Sequence, residues 1–330
     1  MLTVLMATHN GADTLGRTLE AFSELQNPSG GWKLIIVDNA STDATARIIE
    51  SWRGKLPLLP LREERLGKNC ALNIGLAEIE GDFVVLCDDD VLPDPSWLRE
   101  WRRVADAYPE LAMFGGTIVP EFEVPPPAFC TSDVAIMAEL WSATRPNQPE
   151  GAKPDSPIWD VYGCNMALRA YVARAFRFDE QLMTGPQALL GDESEFVSRV
   201  AEAGHKVGFA PSAKVRHLVG ANQVTWPWML RRFHRFGRSR YHAQAIRQPF
   251  HGRALLGAPR WLFRPLLRDT LRLPIAAASF DSGRVFACLR SLASHLGGIR
   301  QARVMARERI CDGPPAAAEG MADRATDSAG

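Results

Sequence analysis

Short apolar runs alternate with amphipathic stretches over the first 90 residues of the chain. Apolar runs of strand length lie at 2–7, 33–37, 58–61 and 83–87. The stretches between them carry apolar residues at helical spacing, at 13–25, 44–52 and 68–78. Helices that connect successive strands are typical of parallel βαβ units. The pattern therefore predicts an α/β fold with a Rossmann-like, mostly parallel central sheet flanked by helices.

The rest of the chain predicts elements at wider intervals. We expect helices at 97–108 and 192–203, strands at 113–119, 207–210 and 213–217, and a strand or turn at 161–167. Residues 120–157 contain eight prolines, which favours a long connection outside the core. Beyond residue 220 we expect two amphipathic helices that lie on a surface, at 255–273 and 285–299.

Polar side chains follow three of the early strands at the point where each strand ends. They are Thr8 and Asn10, then Asp38 and Asn39, then Asp88, Asp89 and Asp90. The carboxyl ends of parallel strands meet at one edge of a sheet, which is where such folds bind ligands. Neither G-x-G-x-x-G nor G-x-x-x-x-G-K-[ST] occurs, so the sequence lacks a dinucleotide fingerprint and a P-loop.

The three consecutive acids at 88–90 admit two interpretations. Three carboxylates cannot be buried without positive partners, so the apolar run before them must end at the mouth of the sheet. They then form either an acidic surface turn or a site for a cation. A second acidic cluster, Asp192 and Glu193, opens a later helix, where carboxylates suit the positive N-terminus.

Formal net charge is zero, but charge is unevenly distributed. Residues 1–229 carry 20 Lys and Arg against 31 Asp and Glu, whereas residues 230–310 carry 17 Arg, no Lys and three acids. This asymmetry indicates an anionic surface partner for the later part. The six cysteines form no C-x-x-C pair, which argues against a zinc site and favours a reducing compartment. We expect neither a signal peptide nor a spanning helix, and hence a cytoplasmic protein.

Several motifs in one order resemble glycosyltransferase family 2, whose members have the GT-A fold. They are Thr8-His9-Asn10, 37–43, the run 67–75 (GKNCALNIG), Asp88-Asp89-Asp90, Gly163-Cys164-Asn165-Met166, Gly191-Asp192-Glu193 and 211–217. The resemblance covers about residues 1–220. It implies a GT-A catalytic domain there, with a nucleotide-sugar half at 1–120 and an acceptor and catalytic-base half at 121–220. A basic helical extension at 221–310 and a disordered tail at 311–330 would follow.

The resemblance also implies roles for individual residues. Asp38 would bind the base or ribose of the nucleotide, with Thr8, Asn10, Asn39 and Asn73 in the same donor site. Lys68 would lie near the donor phosphates. Asp88 and Asp90 match a DxD motif that holds Mg²⁺ or Mn²⁺ against the diphosphate, and His217 either completes that metal site or is structural. Asp89 would face the sugar or hold the turn.

The implied activity is an inverting transfer of a hexosyl or deoxyhexosyl group. A carboxylate would take the proton of the acceptor hydroxyl as it attacks opposite the leaving diphosphate. Glu193 or Asp192 is this base; position favours Glu193, although the order of the two acids is reversed relative to the family. The expected donor nucleotide is UDP, with dTDP or GDP as alternatives. The acceptor would be a saccharide or a lipid-linked saccharide, in polysaccharide, glycan or glycolipid biosynthesis.

Two other functions are compatible with parts of the pattern. A non-catalytic protein that binds nucleotide sugars or glycans would share the fold, but Asp88, Asp90 and Glu193 argue against it. A nucleotidyltransferase usually has a glycine-rich, basic loop after the first strand, and residues 8–11 do not form one.

Aromatic residues interleave with arginines from residue 226 onwards. Trp226, Trp228, Phe233 and Trp261 belong to this pattern, which is typical of peripheral contact with an anionic membrane. We expect such contact through 226–310, on the cytoplasmic face of the plasma membrane. The alternative is a helical domain whose arginines are simply solvated. No RNP, helix-turn-helix or zinc pattern is present, so a nucleic-acid partner is not expected.

Overall fold

Strands and helices follow one another closely from the first residue. The computed structural model describes residues 1–152, 160–182, 189–248, 252 and 254–311. The strands, β1 to β11 in chain order, are Leu2–Thr8, Trp32–Asn39, Leu58–Glu63, Phe83–Cys87, Val91–Pro93, Leu111–Phe122, Gly151–Ala152, Asn165–Arg169, Lys206–Val219, Ala254–Leu255 and Ala258–Pro259. The helices, α1 to α11, are Leu15–Ser23, Thr45–Ser51, Lys68–Ala77, Trp97–Ala107, Ala128–Thr131, Val134–Trp141, Ala170–Ala175, Asp192–Glu202, Trp226–Arg247, Phe263–Ala278 and Ser282–Cys311.

Nine strands form one sheet in the order β3-β2-β1-β4-β8-β6-β9-β5, with β7 paired to β9. β1, β2, β3, β4, β6 and β9 run in one direction, and β5, β7 and β8 run against them. The predicted α/β fold with a mostly parallel sheet is confirmed. The register pairs Thr8 with Asp38 and Met6 with Cys87, so three neighbouring strands end at the same edge.

Alternate residues of the central strands fill two apolar layers, one on each face of the sheet. Leu2, Val4 and Met6 pack with α1 and α4 on one face. Leu5 and Ala7 pack with α3 and α8 on the other. Each fully buried leucine or methionine stabilises the fold by ~1.5–3 kcal/mol relative to an exposed one. These layers fix the strand ends, and with them the polar residues that follow each strand.

The segment 120–157 is more ordered than its prolines predict. β6 extends to Phe122, and α5, α6 and β7 all lie within the segment. Leu140 and Trp141 are each 1% exposed, so the prediction that the segment lies outside the core is wrong. Pro127 lies directly before α5, where its missing amide hydrogen breaks no helical bond. Residues 153–157 fall outside the described ranges.

The two strands expected at 207–210 and 213–217 are parts of the single strand β9. Its register with β6 shifts between Gly116 and Thr117, whose partners are Ala210 and Lys214. The intervening residues of β9 form a bulge, which kinks the strand without ending it. Pro211 lies in this bulge, where a residue that cannot donate to the ladder is tolerated.

Asn165 ties this bulge to the core. Its side chain is fully buried and accepts a hydrogen bond from Trp97 Nε1 at 2.9 Å. Its Nδ2 donates to the carbonyls of Thr117 and Ala213, each at 2.9 Å. One amide therefore satisfies polar groups from α4, β6 and β9.

The chain divides into two compact units, residues 1–232 and 233–330. In the second unit, apolar residues of α9, α10 and α11 pack around Tyr241, Leu262 and Ile299. α9 and α11 approach so closely at Gly237 and Gly297 that a Cβ on either glycine would collide with the backbone of the other helix. The functional division at residues 220 and 310 stays a prediction.

The helices expected at 255–273 and 285–299 exist with different bounds. Residues 254–259 form the β10–β11 hairpin, so α10 begins only at Phe263, while α11 extends from Ser282 to Cys311. Phe233, expected on a surface, is buried. No helix in the described part of the chain is both long and apolar enough to cross a bilayer.

Replacing Asn165 by Ala is expected to lower the free energy of unfolding by about 3–5 kcal/mol, because three buried polar groups lose their partner. Urea unfolding measures the loss. Asn27→Ala is the matched control, since exposed Asn27 also accepts a 2.9 Å hydrogen bond from a tryptophan, Trp32. That variant should lose less than about 1 kcal/mol. Equal losses in the two variants would contradict the role of Asn165.

Candidate active site

The acids that follow β4 meet a lysine at the edge of the sheet. Lys68 opens α3 directly after Gly67, whose φ of 151° suits glycine. Lys68 Nζ lies 2.7 Å from Asp88 Oδ1 and 3.6 Å from Glu193 Oε1. One ammonium group thus joins the acid that follows β4 to an acid in the first turn of α8.

Burial and charge act in opposite directions on this cluster. Burial lowers the pKa of Lys68, but Asp88, Glu193 and Asp192 outweigh it and hold that pKa well above its ordinary value. Burial raises the pKa of Asp88, although Lys68 opposes the shift. The lysine therefore stays cationic, and it is the charge that lets several acids gather in a half-buried place.

The two acids at the start of α8 have different environments. Asp192 is 2% exposed, and its Oδ2 has no hydrogen-bond partner among the described residues. Burial, together with the nearby Glu193, raises the pKa of Asp192 well above its ordinary value. Burial also acts to raise the pKa of Glu193, but Lys68 and a hydrogen bond from Asp192 lower it on balance. The pKa values of the two neighbouring carboxyl groups are therefore shifted in opposite directions, upward for Asp192 and downward for Glu193.

Asp90 and His217 form a second close pair beside this cluster. His217 Nε2 lies 3.4 Å from Asp90 Oδ2, and His217 Nδ1 lies 2.9 Å from the carbonyl oxygen of Trp141. A carbonyl can only accept, so Nδ1 carries a hydrogen and Nε2 faces Asp90. Burial lowers the pKa of His217, but Asp90 outweighs burial and raises it.

The groups around Asp90 suit a hard divalent cation. Asp90 Oδ1 is buried and, within the described ranges, has no hydrogen-bond partner that a cation would have to displace. Carboxylate oxygens and an imidazole whose other nitrogen is fixed by a carbonyl are ligands that Mn²⁺ accepts. Among the described residues, no group of three or more His, Cys, Asp or Glu is arranged to hold a metal ion.

Asp89 supports the turn after β1. Thr8 Oγ1 donates a hydrogen bond to Asp89 Oδ2, and Thr18 Oγ1 donates to the Asp89 carbonyl at 2.9 Å. Burial raises the pKa of Asp89 to about 7. Gly11 lies so close that a Cβ there would collide with the Asp89 carboxylate. These contacts fit the turn-holding role, and contact of Asp89 with a sugar stays a prediction.

Asp38 and Asn10 lie on the same edge as Thr8. Asp38 Oδ2 accepts a hydrogen bond from Arg62 Nη1 at 2.7 Å. Asn10 has a left-handed backbone, with φ 53°, and its Oδ1 accepts from the amide of Thr42 at 2.8 Å. The structure therefore brings these three predicted residues together, each fixed by a neighbouring loop.

Asn39 and Asn73 use their amides within the fold. Asn39 Oδ1 accepts from the amide of Gly67 at 2.8 Å, and its Nδ2 donates to two carbonyls at the end of β3. Asn73 bonds both the amide and the carbonyl of Phe178, each at 2.9 Å. Both residues orient loops beside the site, and their contact with a donor stays a prediction.

Three residues have roles that the sequence did not indicate. Arg62 pairs with Asp38 across the β2–β3 register, which parallel alignment of these strands could have indicated. Gly163 leaves room for the Glu193 side chain, since a Cβ there would lie 2.5 Å from Glu193 Oε1. Trp141 acts through its backbone carbonyl, which has no sequence signature.

The sequence profile of glycosyl transferase family 2 matches residues 3–176, more than half of the chain. The chain belongs to this family. The resemblance carried by the motifs is thereby confirmed, and this glycosyltransferase can be compared with relatives along most of its length.

One relative is the succinoglycan biosynthesis protein ExoM of Rhizobium meliloti. It is 22% identical over 245 residues, which cover 72% of this chain and 73% of ExoM.

Two solved structures show the fold. The mannosyltransferase PcManGT from Pyrobaculum calidifontis, in complex with GDP-Man and Mn²⁺, has a TM-score of 0.57 at 20% identity, covering 92% of this chain and 86% of that one. S. aureus TarS 1–349 in complex with UDP-GlcNAc has a TM-score of 0.51 at 16% identity, with coverages of 93% and 91%. The expected GT-A fold is confirmed.

Replacing Lys68 by Met is expected to lower the free energy of unfolding by about 3 kcal/mol, because Asp88 and Glu193 lose their shared cation. Chemical denaturation measures the change. Lys33→Met is the matched control: its side chain is 23% exposed against 24% for Lys68, but it pairs with the single exposed acid Glu80. The control should lose less than about 1 kcal/mol. If Lys68→Met lost no more stability than Lys33→Met, Lys68 would not be stabilising Asp88 and Glu193 as described.

Proposed function

We propose that this glycosyltransferase moves a sugar from a nucleotide-diphosphate sugar to a hydroxyl group of a saccharide acceptor, with inversion at the anomeric carbon. The observation that carries the proposal is the Lys68 cluster, in which Asp88 and Glu193 share one cation. Sugar transfer needs a site for the diphosphate and a base for the acceptor within reach of the same carbon. Lys68 contacts both Asp88, in the proposed diphosphate site, and Glu193, the proposed base.

The donor nucleotide is proposed to bind along the edge formed by Thr8, Asn10 and Asp38. The Asp38 carboxylate would accept hydrogen bonds from the ribose hydroxyls or the base, and Lys68 would contact the phosphates. The complexes of PcManGT with GDP-Man and of TarS with UDP-GlcNAc support a nucleotide sugar as the donor class. We favour UDP, with GDP or dTDP as alternatives.

Asp88 and Asp90 are proposed to hold Mg²⁺ or Mn²⁺, with His217 as a further ligand. When bound, the cation neutralises charge that develops on the diphosphate leaving group. The contact of His217 Nδ1 with the Trp141 carbonyl supports this role, because it leaves Nε2 to face the metal. The Mn²⁺ in the PcManGT complex gives independent support.

Glu193 is the proposed base, and Asp192 is proposed to orient it. The acceptor oxygen would form its bond to the anomeric carbon as the bond to the diphosphate oxygen breaks on the opposite face. The hydroxyl proton passes to Glu193, which must be ionised to receive it. The lowered pKa of Glu193, which Lys68 brings about against the effect of burial, supports this choice.

The product is proposed to be a polysaccharide, another glycan or a glycolipid, built on a saccharide or lipid-linked acceptor. The name of ExoM supports polysaccharide synthesis. A non-catalytic nucleotide-sugar or glycan-binding protein is the alternative, and it would have no use for an ionised carboxylate held beside the donor site.

Replacing Glu193 by Gln is expected to lower turnover ~10²–10⁴-fold, because no carboxylate accepts the proton, while donor affinity is kept. Donor hydrolysis and transfer assays measure turnover, and calorimetry measures affinity. Asp192→Asn is the matched control, since the amide still donates to Glu193, and it should stay within ~10-fold of wild type. The opposite ranking would move the base to Asp192. Absence of donor turnover in the wild-type protein, with binding retained, would favour the binding protein.

Replacing Asp90 by Ala is expected to abolish the gain in nucleotide-sugar affinity that Mn²⁺ brings, because the metal loses a carboxylate ligand. Calorimetry with Mn²⁺ and with a chelator gives the two affinities. Asp94→Ala, an acid just beyond β5, should retain the full gain. If Mn²⁺ raised the nucleotide-sugar affinity of Asp90→Ala as much as that of wild type, Asp90 would not be a metal ligand.

A further inference from the structure

Large apolar side chains are exposed mainly in the second unit. Most of those that are strongly exposed within the described ranges lie between residues 233 and 311. Single exposed leucines are ordinary, but a contiguous apolar patch of this kind usually marks an interaction surface.

These side chains line up along α10. Leu267, Leu271 and Ile275 recur every fourth residue, so they share one face of the helix, and they are 63%, 66% and 73% exposed. Phe280, in the turn that follows, is 97% exposed. We name these four residues the apolar stripe. The other side of α10 packs inwards through Leu266, which contacts the apolar core of the unit.

The stripe is bordered by positive charge. Arg264, Arg268 and Arg272 lie on the same helix and are exposed. The single acid of α10, Asp269, is buried and accepts hydrogen bonds from Arg268 and from Ser291. Residues 233–310 as a whole carry 15 arginines, no lysine and three acids. The surface of α10 therefore combines aliphatic side chains with guanidinium groups and presents no exposed carboxylate.

This combination selects among possible partners. A second copy of the chain, docked stripe to stripe, would bring two rows of arginines together, which is unfavourable. A nucleic acid would be expected to meet stacking aromatic residues, and three of the four stripe residues are aliphatic. An anionic lipid surface satisfies both parts, since acyl chains take up the apolar side chains and phosphates pair with arginine.

We propose that α10, with Phe280, is a membrane-docking face that lies in the plane of an anionic lipid surface. Leu267, Leu271, Ile275 and Phe280 would enter the boundary of the acyl chains. Arg264 and Arg272 would contact the headgroup phosphates, while Arg268 is paired with Asp269.

The test is flotation of the full-length protein with vesicles, which needs no catalytic assay and so stands apart from the proposed reaction. Wild type should float with phosphatidylcholine–phosphatidylglycerol vesicles at low salt, much less at high salt, and little with phosphatidylcholine alone. The triple variant Leu267→Gln, Leu271→Gln, Ile275→Gln should bind at least ~10-fold more weakly. Glutamine keeps helix propensity, and circular dichroism checks that the helices remain.

Val134→Gln is the matched control, since Val134 is an exposed apolar residue on α6 in the first unit. It should float as wild type does. A wild-type protein that stays in the soluble fraction with both lipid compositions overturns the proposal, as does a triple variant that floats like wild type. If sedimentation shows a dimer that the triple variant loses, without any flotation, the stripe is a self-association face and the proposal is wrong.

Discussion

The arrangement of acids at the sheet edge depends on the single cation of Lys68. Carboxylates from β4 and α8 approach one another in a place partly withdrawn from water, where like charges repel strongly. The ammonium group offsets that repulsion because α3 starts at Lys68, directly after a glycine turn. The backbone at Gly67 and Lys68 thus determines the position of the ammonium group. Without this cation, the approach of the two acidic segments, which are distant in sequence, would cost about 3 kcal/mol.

Much of the first 110 residues follows from local pattern. The strand Phe83–Cys87 ends at the residue that the sequence indicates, because three acids cannot continue a buried run. The convergence of Thr8, Asp38 and Asp88 follows from a general property of parallel strands, whose carboxyl ends share an edge. These features could be predicted from the hydrophobic periodicity of strands and helices and from the charged residues that end each apolar run.

The features that the sequence did not indicate depend on contacts between distant segments. The prolines of 120–157 gave no hint that Trp141 is buried, since burial is decided by what packs on the side chain. The bulge of β9 is held by Asn165, which binds α4 and β6 as well. The partner of Asp38 is Arg62 on the neighbouring strand, and no spacing within either strand indicates that pair. On α10, the pattern of polar and apolar residues did not predict that Leu267, Leu271 and Ile275 are exposed.

The contact between His217 and residue 141 has a consequence for how such a protein can change. The histidine is oriented by a backbone carbonyl, and every amino acid has one. Mutation of the side chain at 141 therefore leaves the acceptor group for Nδ1 in place, provided that the path of the chain is kept. The segment around α6 can vary its side chains over evolutionary time while the imidazole keeps its tautomer. The side chains of this segment can therefore diverge without disturbing the charged residues at the edge of the sheet.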